Sequence, residues 1–185
     1  TAYEKLPTAA DLVRTIGEGM PGTEMAPFGR ILTGQSIRRV AAYIKSFSPR
    51  FADPEEAIDP EEDRIPLPAA RPFPPSEESI AAGSKVYQRE ECGTCHAENG
   101  DGQGADAAGM TDEWDRPIHM LVWSRAVFKS GTRDLDLYRS IAAGMNGTPM
   151  EGYAEDTTDA ERWQLVDFIR SLEAPRGILH FLFGE

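Results

Sequence analysis

An all-α fold is predicted by three features of this 185-residue sequence. No stretch alternates apolar and polar residues for long enough to make a strand. Apolar residues instead recur at helical spacing, behind residue types that cap helix starts. Two stretches 125 residues apart also repeat one another's helices.

In chain order, Leu12, Val13 and Ile16 form a first apolar face, ahead of Gly17 and Gly19. Ile37, Val40, Ala41, Ile44 and Phe47 form a second, with Thr33 placed to act as its N-cap. Eight of the fourteen prolines then fall between Pro49 and Pro75, interleaved with Asp53, Glu55, Glu56, Asp59, Glu61, Glu62 and Asp63. This composition cannot bury a core and reads as an extended, partly polyproline-like linker over residues 48–75. A helix from about Glu78 to Arg89 carries Ile80, Val86 and Tyr87 toward the two cysteines of the chain. Asp134–Ala143 is the next helix, and Thr158 with Glu161 makes a capping box for the last, whose apolar face is Trp163, Leu165, Val166, Phe168, Ile169 and Leu172.

The repeat is visible by direct superposition at the 125-residue offset. Asp11-Leu12-Val13-Arg14-Thr15-Ile16 falls on Asp136-Leu137-Tyr138-Arg139-Ser140-Ile141. Gly19-Met20-Pro21-Gly22-Thr23-Glu24-Met25 falls on Gly144-Met145-Asn146-Gly147-Thr148-Pro149-Met150. With no gap, Val40, Tyr43, Ile44, Ser46 and Phe47 then meet Leu165, Phe168, Ile169, Ser171 and Leu172.

Hydrophobic residues make up 40% and charged residues 27%, the balance of a soluble globular protein, so wholesale disorder is excluded. No run of 18 apolar residues occurs, and Thr1-Ala2-Tyr3-Glu4 has no signal-peptide character, so neither a membrane span nor a signal peptide is expected within the sequence. The net charge of −12 argues against nucleic acid and anionic lipid as partners and points to partners with a basic docking surface.

The two cysteines stand in Cys92-Gly93-Thr94-Cys95-His96. Cys-x-x-Cys-His is the attachment signature of c-type haem: the thiols add to the vinyl groups and the adjacent imidazole is placed to bind the iron. A redox dithiol would need a strand before the pair and a helix after it, and that setting is absent. Zinc would need two further ligands, and His119 and His180 are not at a finger-like spacing. With His96 on one side of the iron, a methionine suits the other. Core filling is the ordinary role of a methionine. Met150 nevertheless closes a Gly-Thr-Pro-Met turn able to present its thioether to a flat ring, with Met145 second and Met110 and Met120 less well placed.

Gly83 and Tyr87 ahead of the Cys92 to His96 motif, the Asn99-Gly100-Asp101-Gly102-Gln103-Gly104 loop, and Gly144-x-x-Gly147-Thr148-Pro149-Met150 before a final aromatic helix together resemble a class I c-type cytochrome domain. The resemblance covers nearly all of residues 76–174. It implies a small all-α fold around a covalently bound haem c, with first and last helices crossing near the haem edge. It also implies Cys92 and Cys95 as thioether residues, His96 as proximal ligand and Met150 as distal ligand.

Residues 1–47 resemble only the C-terminal half of such a domain, with Met25 at the distal-ligand position and Glu24 in place of the usual proline. Subtracting 125 from 92 puts the matching cysteine at −33, upstream of residue 1. About 47 residues are too few for an independent core without a prosthetic group or partner. The expectation is therefore a tandem, dihaem cytochrome c whose second haem depends on an upstream segment, with a C-terminal tail over 175–185.

Smaller expectations concern the loop that holds Arg116, Pro117 and Trp123. There a backbone carbonyl should accept the His96 Nδ1 proton, and a basic or indole donor should meet a haem propionate. His119 and His180 read as surface or packing residues. Ile178 to Phe183 is too short to span a bilayer and could clamp on a domain or dock a subunit.

Together these features favour periplasmic, or otherwise extracytoplasmic, electron transfer with His/Met ligation, as a free dihaem carrier or an electron-transfer subunit of an oxidoreductase complex. No catalytic residue is expected. The alternatives are a dihaem peroxidase-like enzyme with one open iron site, and a haem-based sensor module.

Overall fold

The computed structural model describes residues 5–21, 23–59, 62–125 and 127–173, so the expected tail over 175–185, with His180, lies outside the described residues. The fold is helical: α1 (Ala9–Glu18), α2 (Gly34–Lys45), α3 (Glu77–Arg89), the single turn α4 (Gly93–His96), α5 (Asp134–Ala143) and α6 (Asp159–Ser171). Among the described residues the one extended pairing is an isolated bridge between Thr111 and Pro117.

Local chemistry sets the helix ends. The Thr8 hydroxyl oxygen accepts from Asp11 N–H while the Asp11 carboxylate accepts from Thr8 N–H at 2.9 Å, and Thr158 and Glu161 make the same box at the start of α6. Ser76 and Ser79 exchange equivalent bonds at the start of α3, and Thr33 caps α2 through Ser36 N–H. Each box satisfies two amide donors that the first helical turn leaves without partners.

α3, α5 and α6 enclose the main core, in which Tyr87, Tyr138 and Val166 are fully buried. α3 crosses α6 at Gly83. A Cβ there would lie 2.0 Å from the Gln164 carbonyl oxygen, so only hydrogen permits the approach. Just beyond the crossing, the Tyr87 and Phe168 rings pack 5.1 Å apart.

The sequence repeat is also a structural one. Adding 125 to the bounds of α1, 9 and 18, gives those of α5, 134 and 143. Gly19 and Gly144 share a left-handed backbone (φ 72° and 67°), and a Cβ on either would strike the carbonyl oxygen of the methionine six residues on, Met25 or Met150. α1 and α2 enclose a small cluster of Ile16, Ile37 and Ala41, against which Met25 packs. The first and second copies face each other across a cleft lined by matching residues: Arg14 with Arg139, Thr15 with Ser140, Met20 with Met145. Arg133 pairs with Glu18 at 3.7 Å, and Asn146 Nδ2 donates to the Lys5 carbonyl at 2.7 Å.

The proline-rich stretch is fastened to the rest of the fold by packing and ion pairs. Pro49–Ala52 and Pro54–Glu56 are short 3-10 turns, Asp63 is buried and pairs with Lys5 at 3.1 Å, and Ile65 and Phe73 pack on the main core. Arg71 fastens it most firmly. Its guanidinium bonds the buried Asp167 and reaches Asp134 at 3.2 Å, and it lies over the Trp163 ring at 5.2 Å.

Candidate haem-binding site

The end of α3 sets the geometry of the motif. Glu91 takes a positive φ of 52°, which turns the chain so that Cys92 N–H donates back to the Tyr87 carbonyl at 3.1 Å and α4 starts at once. The loop after α4 folds back over it: Gly102 N–H donates to the His96 carbonyl at 3.1 Å and Gly104 N–H to the Cys95 carbonyl at 3.3 Å. Gly104 lies so close that a Cβ would be 2.2 Å from the Thr94 carbonyl oxygen, which explains the glycine spacing of this loop. Tyr87 Oη donates to the Ala97 carbonyl at 2.6 Å and ties the motif to the core.

Cys92, Cys95 and His96 line one cavity with Met150, which closes the turn before α6. Including its solvent-open mouth, the cavity holds about 1270 Å³ of free space. Leu137 and Ile141 of α5 and Ile169 of α6 supply apolar wall. Met110, Met120 and Met145 also reach it, and so does His119, which stays exposed as a surface residue while lining the cavity. No local pattern marks His119, because its position depends on how the loop after Gly104 folds across the cavity.

The Met150 turn is held by backbone and hydroxyl bonds. Met145 N–H donates to the Met150 carbonyl at 2.9 Å, Thr148 Oγ1 donates to the Met145 carbonyl at 2.8 Å, and Met150 N–H donates to Thr148 Oγ1 at 3.3 Å. The first copy repeats each bond: Met20 N–H to the Met25 carbonyl at 3.0 Å, Thr23 Oγ1 to the Met20 carbonyl at 2.7 Å, Met25 N–H to Thr23 Oγ1 at 3.1 Å. Glu24 in place of proline leaves the turn unchanged. Met25 belongs to the first copy and does not line the cavity of Cys92 and His96.

Burial sets the protonation of the site. The His96 imidazole is pushed down to about 4, so it is neutral at ordinary pH, and the Cys92 thiol is pushed up to about 12 by burial and by the Glu90 charge. The expected carbonyl acceptor for His96 Nδ1 is not found: this buried nitrogen has no hydrogen-bond partner. Trp123 stacks on the imidazole with centroids 4.8 Å apart and rings inclined by 26°. Trp123 is itself pinned by its backbone N–H, which donates to the Gly100 carbonyl at 2.9 Å. Arg116 does not line the cavity and lies over the Trp114 ring at 5.8 Å.

The donor set suits an iron macrocycle. A neutral imidazole and several thioethers around an apolar cavity are nitrogenous and soft donors for an iron, and the two thiols beside them are spaced for attachment to the ring's vinyl groups. Among the described residues no group of three or more His, Cys, Asp and Glu is gathered where it could hold a metal ion.

The fold and the cavity define a helical domain built to hold a haem through two thioethers. Residues 80–173 match the family model for cytochrome c, and the chain belongs to that family. Haem c, bound covalently, is therefore its cofactor, and Cys92 and Cys95 have the required spacing. A chain of the Kuenenia stuttgartiensis reducing HAO-like protein complex Kustc0457/Kustc0458 shares the fold, with a TM-score of 0.81 and 33% identity over 94% of this chain and 76% of that one. The chain is also 26% identical over 177 residues to the Cbb3-type cytochrome c oxidase subunit CcoP of Azospirillum sp. (strain B510), covering 89% of this chain. It spans about half the length of that curated relative, 49%. Electron transfer by c-type haem is the function these likenesses support. Domains of this kind are typically extracytoplasmic. Among the described residues no helix is long and apolar enough to cross a membrane.

Proposed function

We propose that the protein is a periplasmic dihaem electron-transfer subunit. In this reading Cys92 and Cys95 hold the first haem, with His96 and Met150 as its axial ligands. Met25 is the distal ligand of the second haem, whose attachment motif lies outside residues 1–185. The bound group supplies a one-electron iron couple; the protein holds it in place and controls its surroundings. His96 is kept neutral by burial, so its lone pair is free for a metal, and Trp123 holds the ring in one orientation. The Met150 turn is braced at both ends, so its position does not depend on the metal. With His96 and Met150 both binding the iron, no position there would be left for a substrate.

The observation that carries the two-haem reading is the duplicated methionine turn, with the same three hydrogen bonds and the same left-handed glycine in each copy. A second feature supports passage of electrons between the copies. Lys129, Ser130, Ser140 and Met145 line both the haem cavity and the cleft that faces the first copy, so the two spaces adjoin. The names of the relatives suggest a place within an oxidoreductase complex, and the acidic surface favours a basic redox partner.

The test is haem content per polypeptide, by pyridine haemochrome absorbance with intact mass, on protein from its natural source. Two haems are expected, together with a methionine-to-iron charge-transfer band in the oxidised spectrum. One haem refutes the two-haem reading, and absence of the band refutes methionine ligation. Reduction by a basic partner should slow as salt rises; a rate independent of ionic strength refutes the charge argument.

A further inference from the structure

The cleft between the two copies gathers positive charge in a chain whose net charge is −12. Arg14 of α1 and Arg139 of α5 stand at matching places in the repeat, and both line it, as does Lys129. Its free space is about 950 Å³, open mouth included. Two guanidiniums brought to one cleft repel each other unless an anion stands between them. The Arg139 side chain is only 18% exposed, and burial and the Arg14 charge both work against its cation.

The carboxylates nearby are already shared. Asp136, which Arg139 meets at 3.0 Å, is also held by Arg133 at 2.9 Å. Glu18 lies 3.8 Å from Arg14 and 3.7 Å from the same Arg133, long distances for an ion pair, and is half exposed. Asp11 is engaged by Thr8, whose N–H and hydroxyl both donate to it at the start of α1. Arg14, Lys129, Arg133 and Arg139 therefore meet three carboxylates, where the whole chain has 19 basic residues to 31 acidic. Thr15 and Ser130 bring hydroxyls to the same wall. Arginine suits a group with two or more anionic oxygens, because its planar fork donates two parallel N–H bonds to phosphate or carboxylate.

We infer that this cleft is the binding site of a small free oxyanion of the phosphate class, clamped between Arg14 and Arg139 with Lys129 beside it. One arginine comes from each copy, so the anion ties the two copies together. Haem propionates share this carboxylate-like chemistry, and Lys129 and Ser130 line both the cleft and the haem cavity, so the test separates the two sources.

Inorganic phosphate is titrated into the oxidised, haem-loaded protein by isothermal calorimetry in a low-salt buffer free of phosphate. One phosphate per chain is expected. Arg14→Gln, at a side chain 33% exposed and outside the core, should weaken binding by about ten-fold or more through loss of a charge-assisted pair. Arg38→Gln, exposed on α2 and not lining the cleft, should leave binding unchanged. The unaltered protein gives a second readout: phosphate should raise its Tm above the value in potassium chloride of equal ionic strength. No saturable binding, equal affinity in Arg14→Gln, an equal loss in Arg38→Gln, or no gain in Tm over chloride overturns the inference. No binding together with a shift of the propionate bending modes in the resonance Raman spectrum of Arg14→Gln assigns the arginines to the haem's own carboxylates and overturns it as well. The number of haems enters none of these readouts, so they stand or fall apart from the two-haem reading.

Discussion

Replacing Gly83 by alanine sets two effects of known size against each other. Alanine gains about 1 kcal/mol over glycine in a helix interior, so at an open site the change stabilises. At Gly83 the new Cβ would lie 2.0 Å from the Gln164 carbonyl oxygen, 2.5 Å from its carbon and 3.0 Å from Phe168 Cβ. Two of these are backbone atoms of α6, which cannot swing aside as a side-chain tip can. α3 and α6 must separate and loosen the contact of Tyr87 with Phe168. Overpacking of this kind costs about 1–3 kcal/mol and sometimes more, and rigid backbone on the opposing side puts this case at the upper end. The net expectation is destabilisation of about 2 kcal/mol, or about 8–16 °C in Tm for a domain of this size. The control is Gly17→Ala in α1, whose new Cβ would meet only Ile37 Cδ1 at 3.9 Å. The repeat already has Ala142 at the matching position, fully buried, so this change should stabilise by up to about 1 kcal/mol. Thermal unfolding of the holoprotein followed by circular dichroism reads both. If Gly83→Ala is neutral or stabilising, the close crossing of α3 and α6 is wrong.

Three further outcomes follow from the site and its supports. Met150→Ala should let carbon monoxide bind the reduced protein without denaturant, where the unaltered protein does not; equal binding by both would remove Met150 as distal ligand. Arg71→Ala leaves the Asp167 carboxylate buried without its cation, with Ser79 Oγ as its remaining donor at 2.5 Å, and should cost about 3 kcal/mol in denaturant titration; a loss below about 1 kcal/mol would mean the docked proline-rich segment contributes little. Glu161 is held down to about 2 by Arg89, with the Thr158 N–H and hydroxyl adding to the effect. A depressed carboxylate contributes stability that is present above its unfolded value near 4.3 and is lost as pH falls toward about 2. Urea midpoints should therefore fall less steeply over that window in Glu161→Gln than in the unaltered protein, and parallel curves would sink the assignment.

Features set by neighbours in the chain were legible in the sequence. The Cys92 to His96 motif, the capping residues Thr33 and Thr158, and the repeat with its methionine turns depend on contacts a few residues apart, so residue type and spacing carry them. The glycines at 19 and 144 belong to this group, since a left-handed backbone is a local demand. The helical class followed as well, because period and capping agree in every segment.

What only the tertiary structure decided are the pairings between distant segments. The composition of residues 48–75 reads as an extended linker, but it does not say what the linker touches: Arg71 meets Asp167 across 96 positions, and Ile65 and Phe73 pack on the core. A charge pattern shows that an arginine is present but not which buried acid it reaches. Trp123 over His96 is of the same kind: the sequence places a tryptophan in a loop, but only the fold sets it against the imidazole. The open face of α2 also needed coordinates. The periodic pattern of Val40, Tyr43 and Phe47 reads as a buried stripe in either case, and whether such a stripe has a neighbour is a property of packing in space and not of order along the chain.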